Sequence, residues 1–383
     1  MRKVFKYRLY PNRAQATVLS EMLETHRRLY NAALLERRTA WENERRSVRY
    51  AEQSARFKEE RRNNEFYARL NFSSAQATLR RQNHAFEAFF RRVKAGETPG
   101  YPRFKGRSRF KSICFPSYGD GCKMREDEQG RLRLYLQNVG QIKVKLHRPW
   151  EGTIKTVTVK REPGPNTGPD KWYVILSCDL GEVTTPCHHG PAVGIDLGLK
   201  AFLVTSDGWK VDPPRYYREA QARLRRLQRR VARRRKGSGR WRKACRDVAR
   251  LHGHIANQRR DFHHKTARAL VQQYGTIYVE DLNIKGIART RLAKSTHDVG
   301  WGQFARILSS KAEEAGAQVK RVDPASTTQA CSRCGAIPEV KLTLKDRTYS
   351  CDWCGFTADR DENAALNVLA RGLGCSLRSP STA

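Results

Sequence analysis

Residues 192–206 read AVGIDLGLKAFLVTS. Val193, Ile195 and Leu197 surround one acid, Asp196, in a run whose pattern predicts a strand, a tight turn and a second strand. Trp209-Lys210-Val211, after the Asp207-Gly208 turn, predicts a third. A carboxylate inside an apolar strand has to be paired or to bind a cation. Gly194 and Gly198 on either side leave room for something to approach the backbone.

Two further acids stand in comparable settings. Glu280 ends a second short apolar strand, TIYVEDL at 276–282. Asp361 lies in DRDEN, where a last helix, about 359–371, begins; Asp359 and Glu362 there have capping-box spacing, with Asp359 as N-cap. Singly, each acid has a plain explanation as turn anchor, strand-end salt bridge or cap. Together they meet a chemical need, because a pair of Mg²⁺ ions about 4 Å apart requires bridging and terminal carboxylates from rigid elements. Such a pair activates water and spreads the charge of a phosphodiester. No nucleophilic Ser–His or Cys–His set is evident. Asp196, Glu280 and Asp361 are therefore the candidate catalytic residues and ligands for two Mg²⁺ ions, with Mn²⁺ as substitute. Carboxylates on a first strand, a later strand and a helix suit an RNase H-like fold.

Cys331-x-x-Cys334 and Cys351-x-x-Cys354 are 16 residues apart. Each pair offers two thiolates from one tight turn, and the loop between them completes a tetrahedron, the pattern of a four-cysteine zinc site. Gly335 and Gly355 follow the pairs where a knuckle needs positive φ. Redox chemistry is the alternative for a CxxC, but two matched pairs favour zinc. With all four positions supplied by protein, the ion is structural. Lys341, Lys345 and Arg347 in the loop are placed to touch nucleic acid. The other six cysteines, Cys114, Cys122, Cys178, Cys187, Cys245 and Cys375, show no pattern and are expected to be reduced.

Across all 383 residues, 75 Lys and Arg oppose 38 Asp and Glu, a net charge of +37. Such a chain repels itself unless a polyanion shares its surface. Basic residues run throughout rather than along one amphipathic segment, which favours nucleic acid over a phospholipid surface. No apolar run approaches the roughly 18 residues of a spanning helix, and MRKVFKYRLYPN lacks a signal peptide's apolar core. An intracellular location, cytoplasmic and nucleoid-associated in a bacterium or archaeon, is expected. Between 216 and 268, 19 basic residues face three acids. Leu224, Leu227, Val231 and Val248, Leu251, Ile255 give this stretch two striped helices, joined near Gly237-Ser238-Gly239. A solvated hairpin is the bland reading; charge this one-sided favours phosphate contact, and Arg226, Arg230, Arg234 and Arg260 are its candidates. Upstream, KVFKYRLY (3–10) predicts a strand, and Asn12 with Gln15 predicts a capped helix over 13–45. A second helix follows at about 74–95. YPRFKGRSRFKSICF (101–115) is basic and aromatic, and Arg91, Arg92, Arg103 and Lys105 are candidate nucleic-acid contacts. RLRLYLQ, GQIKVKL, TIKTVTVKR and KWYVILSCDL then predict short strands of a small β-domain, expected to be a barrel, which the first strand joins.

FKYRLYPN, HRRLYNAAL, AFEAFFRRVKAGETPGYPRFK, GIDLGLKAFLV, RRDFHHKTARALV, VEDLNIKG, CSRCG, CDWCG and DRDENAALN occur in that order. In this series the chain resembles the TnpB proteins of insertion sequences, relatives of the type V CRISPR nucleases. The resemblance covers most of the chain and is weakest around residues 46–73. It implies an α+β multidomain protein. A discontinuous β-barrel wedge domain would span 1–12 and 101–190, and a helical recognition lobe 13–100. A RuvC-like nuclease domain of RNase H-like fold would span 191–328 and 356–372, with a four-cysteine zinc ribbon inserted at 329–355. A disordered tail would follow at 373–383. It also implies a guide RNA from the transposon end and a double-stranded DNA target beside a short motif, the rest read by base pairing. The family's three catalytic positions fall on Asp196, Glu280 and Asp361. One site would cut both strands in turn, with the zinc module helping to load the target strand. No membrane and no protein oligomer are expected, and no HNH motif is seen. Three rivals stay open: a nuclease-dead RNA-guided repressor, although all three acids are present; a compact type V CRISPR effector; and a strand-transfer transposase.

Overall fold

The computed structural model describes residues 2–162, 170–182, 188–343 and 346–374, in two units, Met1–Val183 and Thr184–Ala383. Cys187, Lys345, Cys375 and the tail from 375 lie outside the described residues.

In the first unit, β1 (Arg2–Tyr10) buries Phe5, Tyr7 and Leu9 on one face and exposes Val4 on the other, as its alternation requires. Pro11 ends the strand, and Asn12 starts α1 (Arg13–Glu44). The Asn12 side chain accepts from the Gln15 amide at 2.8 Å, and the Gln15 side chain accepts from the Asn12 amide at 3.1 Å, a complete capping box. Next come α2 (Tyr50–Asn63), α3 (Glu65–Ala68) and α4 (Phe72–Lys94), the last capped by Asn71. The sequence pattern assigns no element to 46–73. The reason is visible in α2, which buries only Gln53 and Phe57 and so shows almost no apolar stripe.

Six more strands complete this unit: β2 (Ser112–Phe115), β3 (Cys122–Glu126), β4 (Leu132–Leu136), β5 (Gly140–Lys145), β6 (Thr153–Glu162) and β7 (Lys171–Asp179). They form one antiparallel sheet in the order β2-β6-β7-β1-β5-β4-β3, so the first strand sits at its centre. Among the described residues no ladder joins β2 to β3; the pairing is that of an open sheet with two edges. Leu19, Met22, Leu23, Tyr30 and Leu34 of α1 and Phe86 of α4 share one core with Phe5, Tyr7, Val174 and Leu176 of the sheet.

The second unit is built on β8 (Ala192–Asp196), β9 (Leu203–Thr205) and β10 (Lys210–Val211). The basic hairpin follows as α5 (Tyr216–Ala232) and α6 (Gly239–Gln273), with Ser238 capping α6 through the Trp241 amide at 3.1 Å. Leu224, Leu251 and Ile255 hold the two helices together. Then come β11 (Thr276–Glu280), α7 (Ile284–Ile287), α8 (Ala293–Val299), α9 (Trp301–Ala315), β12 (Gln318–Val322), β13 (Thr348–Ser350), β14 (Thr357–Asp359) and α10 (Arg360–Gly372). The sheet order is β10-β9-β8-β11-β12, with β8, β11 and β12 parallel and β9 and β10 antiparallel. Ala267 and Leu270 of α6 and Phe304 and Leu308 of α9 cover Val193, Ile195 and Ile277 of the sheet. No helix among the described residues is long and apolar enough to cross a membrane.

Candidate active site

Parallel pairing places two of the three predicted acids side by side. Ile195 lies opposite Val279, so Asp196 and Glu280 are the next residues of β8 and β11, at the carboxyl ends of adjacent strands. The carboxyl edge of a parallel sheet is where such folds bind ligands. Both acids are buried, 7% and 9% exposed.

The third acid arrives on a helix, and a glycine lets it come close. A Cβ at Gly194 would stand 2.2 Å from the Ala365 carbonyl oxygen and 2.5 Å from the Leu369 nitrogen, both backbone atoms of α10. The space at Gly194 is therefore filled by α10, which brings its first turn to the end of β8. Gly198 faces the Ala201 carbonyl in the β8–β9 turn, with 2.8 Å to a Cβ placed there. Asp359 caps α10, accepting from the Asp361 and Glu362 amides at 2.9 and 3.4 Å. That leaves the Asp361 carboxylate free of capping; its Oδ1 is 3.3 Å from the Arg360 guanidinium.

The electrostatics follow from burial. Asp196 is pushed up to about 8, first by desolvation and then by the negative charges of Glu280 and Asp361, with Arg360 opposing. Burial also raises Glu280, while a hydrogen bond from Thr327 and the charge of Arg371 oppose it. A buried carboxylate whose ionisation is opposed by burial and by two neighbouring acids belongs to a donor set suited to divalent cations, whose charge offsets both costs.

The cysteines converge more tightly. Their four Sγ atoms all lie within 4.8 Å of one another, the one cluster of three or more possible metal ligands this close among the described residues; the three acids are less closely gathered. Cys331 and Cys354 are 3.7 Å apart and Cys334 and Cys351 3.6 Å. A tetrahedron with metal–sulfur bonds of about 2.3 Å has edges of about 3.8 Å, so the donors fit such an ion. Both knuckles share one backbone pattern. Cys331 and Cys351 accept from Gly335 and Gly355 and donate to Ala336 and Phe356, with the glycines at φ 77° and 68°. Lys341 and Arg347 are exposed, as is Trp353 between the second pair, which the sequence pattern does not single out. Cys114, Cys122, Cys178 and Cys245 are free thiols.

Of the predicted nucleic-acid contacts, Arg91, Arg92 and Arg103 in the first unit and Arg226, Arg230 and Arg260 in the second are exposed, and Arg234 is half-buried. Lys105 is half-buried over the Tyr30 ring, 5.8 Å from its centroid, with its backbone tied to Asn31 and Arg27. Its position is structural as well as basic. Thr327, Asn363 and Asn367, buried polar residues beside the acids, escape sequence reasoning. Both asparagines stand in the motif DRDENAALN; nothing in the local sequence singles out Thr327.

A family profile described as "Probable transposase" matches residues 175–291, and one described as "Cas12f1-like, TNB domain" matches 301–368. A third, described as "Helix-turn-helix domain", matches 1–46, where the structure has a strand and one long helix. A "Putative RNA-guided DNA endonuclease" of Streptomyces pristinaespiralis is 35% identical over 98% of this chain and 90% of its own length. The "Putative RNA-guided DNA endonuclease InsQ" of Escherichia coli K12 is 32% identical over 78% of this chain and 73% of its own length. Among solved structures, a Cas12f1 chain in complex with sgRNA and target DNA has a TM-score of 0.60 at 15% identity, covering 92% of this chain and 82% of that one. The mini-RNA-guided endonuclease Cas phi3 has a TM-score of 0.58 at 8% identity, covering 99% and 94%. These likenesses in structure concern the fold, and it is the full-length match in sequence that decides the assignment: the chain belongs to the TnpB family of insertion-sequence proteins.

Proposed function

We propose that this chain is an RNA-guided endonuclease that cleaves double-stranded DNA beside a short transposon-adjacent motif, at one RuvC-like site with Asp196, Glu280 and Asp361 as its catalytic carboxylates. The activity named for relatives that match most of the chain supports the reaction class. The observation that carries the site is Asp196, next to Glu280 across a parallel ladder and raised first by its burial and then by the charges of Glu280 and Asp361. The three carboxylates would hold two Mg²⁺ ions. When bound, such ions supply an activated water and neutralise the charge on the scissile phosphate. The chain's own part is positional. Strand ends β8 and β11 hold two acids rigidly, the capped first turn of α10 holds the third, and Asp359 takes the capping duty that would otherwise occupy Asp361.

The four cysteines would hold a structural Zn²⁺. Residues 1–12 and 101–190 are assigned as a wedge domain, on an open sheet in place of the expected barrel, and 13–100 as a recognition lobe. Residues 191–328 and 356–372 are assigned as the nuclease domain, and 329–355 as the zinc ribbon. Guide RNA from the transposon end and target DNA are the partners, met by the exposed arginines of α4 and of the α5–α6 hairpin. The presence of all three acids weighs against a nuclease-dead repressor.

The test is to purify the protein with its native locus, sequence the RNA that accompanies it, and offer a matching DNA duplex. Asp196→Ala, Glu280→Ala and Asp361→Ala are each expected to abolish cutting and spare RNA binding. Full cutting by any of them refutes the site; wild-type protein that carries no RNA refutes guidance.

A further inference from the structure

The motif DRDENAALN holds two asparagines to which metal binding gives no role. On α10, Asn363, Asn367 and Arg371 are spaced four apart, so they form one stripe along the helix. All three reach one target, the connection from β12 to the first cysteine pair. The Asn367 amide donates to the carbonyls of Thr327 at 2.8 Å and Ala330 at 2.7 Å. The Asn363 amide donates to Ala330 at 2.8 Å, and its oxygen accepts from the Ser332 N–H at 2.9 Å. Arg371 donates to the carbonyls of Asp323 and, at 2.8 Å, Ala325. Both asparagines are fully buried, so the connection is held by bonds that water does not compete for.

The connection so held sends one side chain to the acids. The Thr327 hydroxyl, buried, donates to the Glu280 carboxylate and also lies 3.1 Å from the Pro324 carbonyl. One hydroxyl proton serves one acceptor best, and the charged acceptor makes the stronger bond. Ser326, the residue before it, sits at φ 58°, a left-handed turn that a non-glycine residue keeps only where its surroundings hold it.

We infer that Thr327 is a positioning residue for Glu280, locked in place by Asn363, Asn367 and Arg371, so that the cysteine module and the carboxylate centre act as one unit. The inference rests on Glu280 being a catalytic carboxylate, as proposed above. A strand-end glutamate can turn its carboxylate plane. A hydroxyl fixed on one oxygen sets that plane and presents the other oxygen to a cation. The module that grips the last helix thereby also sets the geometry of an acid on β11, the strand paired with the one that leads into the module.

The experiment compares full-length Thr327→Val, Thr327→Ser, Asn367→Ala and Glu280→Gln. It measures single-turnover cleavage by the guide-loaded complex against Mg²⁺ concentration, Mn²⁺ binding to the protein by electron paramagnetic resonance, target-DNA binding and zinc content. Thr327→Val is expected to slow cleavage about 10- to 100-fold, raise the half-saturating Mg²⁺ concentration and weaken Mn²⁺ binding, with DNA binding and zinc unchanged. Thr327→Ser, which keeps the hydroxyl, is expected to restore all three. Asn367→Ala acts on the same link from the helix and is expected to move the Mg²⁺ dependence the same way. Wild-type Mg²⁺ dependence in either Thr327→Val or Asn367→Ala, beside an inactive Glu280→Gln, overturns the inference and leaves the catalytic reading standing. Equal losses in Thr327→Val and Thr327→Ser overturn it too. A Glu280→Gln protein that cuts normally removes the catalytic reading itself.

Discussion

Replacing Gly194 by alanine adds one methyl where two elements touch. Its Cβ would lie 2.2 Å from the Ala365 carbonyl oxygen, 2.5 Å from the Leu369 nitrogen and 2.8 Å from the Leu369 Cβ. Carbon and carbonyl oxygen approach comfortably only to about 3.3 Å, so α10 has to retreat by about 1 Å. No side chain can yield in its place, because the first two contacts are with helix backbone. Overfilling of this kind costs about 1–3 kcal/mol of stability. The larger effect falls on the site. β8 ends in Asp196, two residues beyond Gly194, and the first turn of α10 carries Asp361, so the retreat passes into the spacing of the two carboxylates. A misplacement of about 1 Å is worth about 100-fold in rate, or about 2.7 kcal/mol of barrier. Single-turnover cleavage of a guide-matched duplex, with RNA binding and thermal melting on the same preparation, reads this directly. The expected variant melts several degrees lower, binds RNA as before and cuts about 100-fold more slowly. Wild-type cutting by Gly194→Ala would refute the view that close packing of α10 on β8 sets the carboxylate geometry.

Cys331→Ser is expected to release zinc and lower the melting temperature of the second unit through loss of metal-coupled folding; retained stoichiometric zinc, measured by elemental analysis, counts against the four-cysteine site. His26 is buried between the Thr78 and Ser74 hydroxyls, at 2.9 and 3.3 Å, and its folded-state value falls to about 3 through burial and the Arg81 charge. Unfolded chain takes up this proton near the ordinary 6.5, so stability is complete above that pH and declines as pH falls toward 3, by about 1.4 kcal/mol per unit. Urea unfolding at about pH 7.5 and about pH 5, on either side of the unfolded-state value, is expected to show a smaller loss in His26→Gln than in wild type; equal losses reject it. The double variant Arg226→Gln, Arg230→Gln is expected to flatten the log–log salt dependence of nucleic-acid affinity by about 0.7–0.9 for each phosphate no longer neutralised. An unchanged slope removes α5 from the interface.

Much of the frame is legible from local chemistry. Asn12 and Gln15 announce the start of α1 because a capping box is closed by residues three apart. The strand–turn–strand around Asp196 and the paired CxxC knuckles are equally local, since period-two alternation and tight turns are written within a few residues. The hairpin of α5 and α6 shows itself by its stripes and its Gly-Ser-Gly joint. α2 and α3 do not: α2 is highly charged and buries only two side chains, and α3 is a single turn that buries none, so neither leaves a periodic signal. The strands β2 and β3 escape notice for another reason: they alternate, but over only four and five residues, too few to stand out from the basic loops around them.

The order of residues along the chain settles which side chains are available: three acids in apolar or capped settings, four thiols at knuckle spacing and a large cationic excess. Only the folded arrangement makes Asp196 and Glu280 share the end of one parallel ladder, since β8 and β11 are separated by the whole α5–α6 hairpin and become neighbours through sheet register. It is likewise the fold that fills the space at Gly194 with α10 rather than a ligand, and that brings Thr327 to Glu280. Contacts between distant segments depend on how complete elements pack, and even where a residue such as Gly194 signals a close approach, the sequence does not say which element makes it.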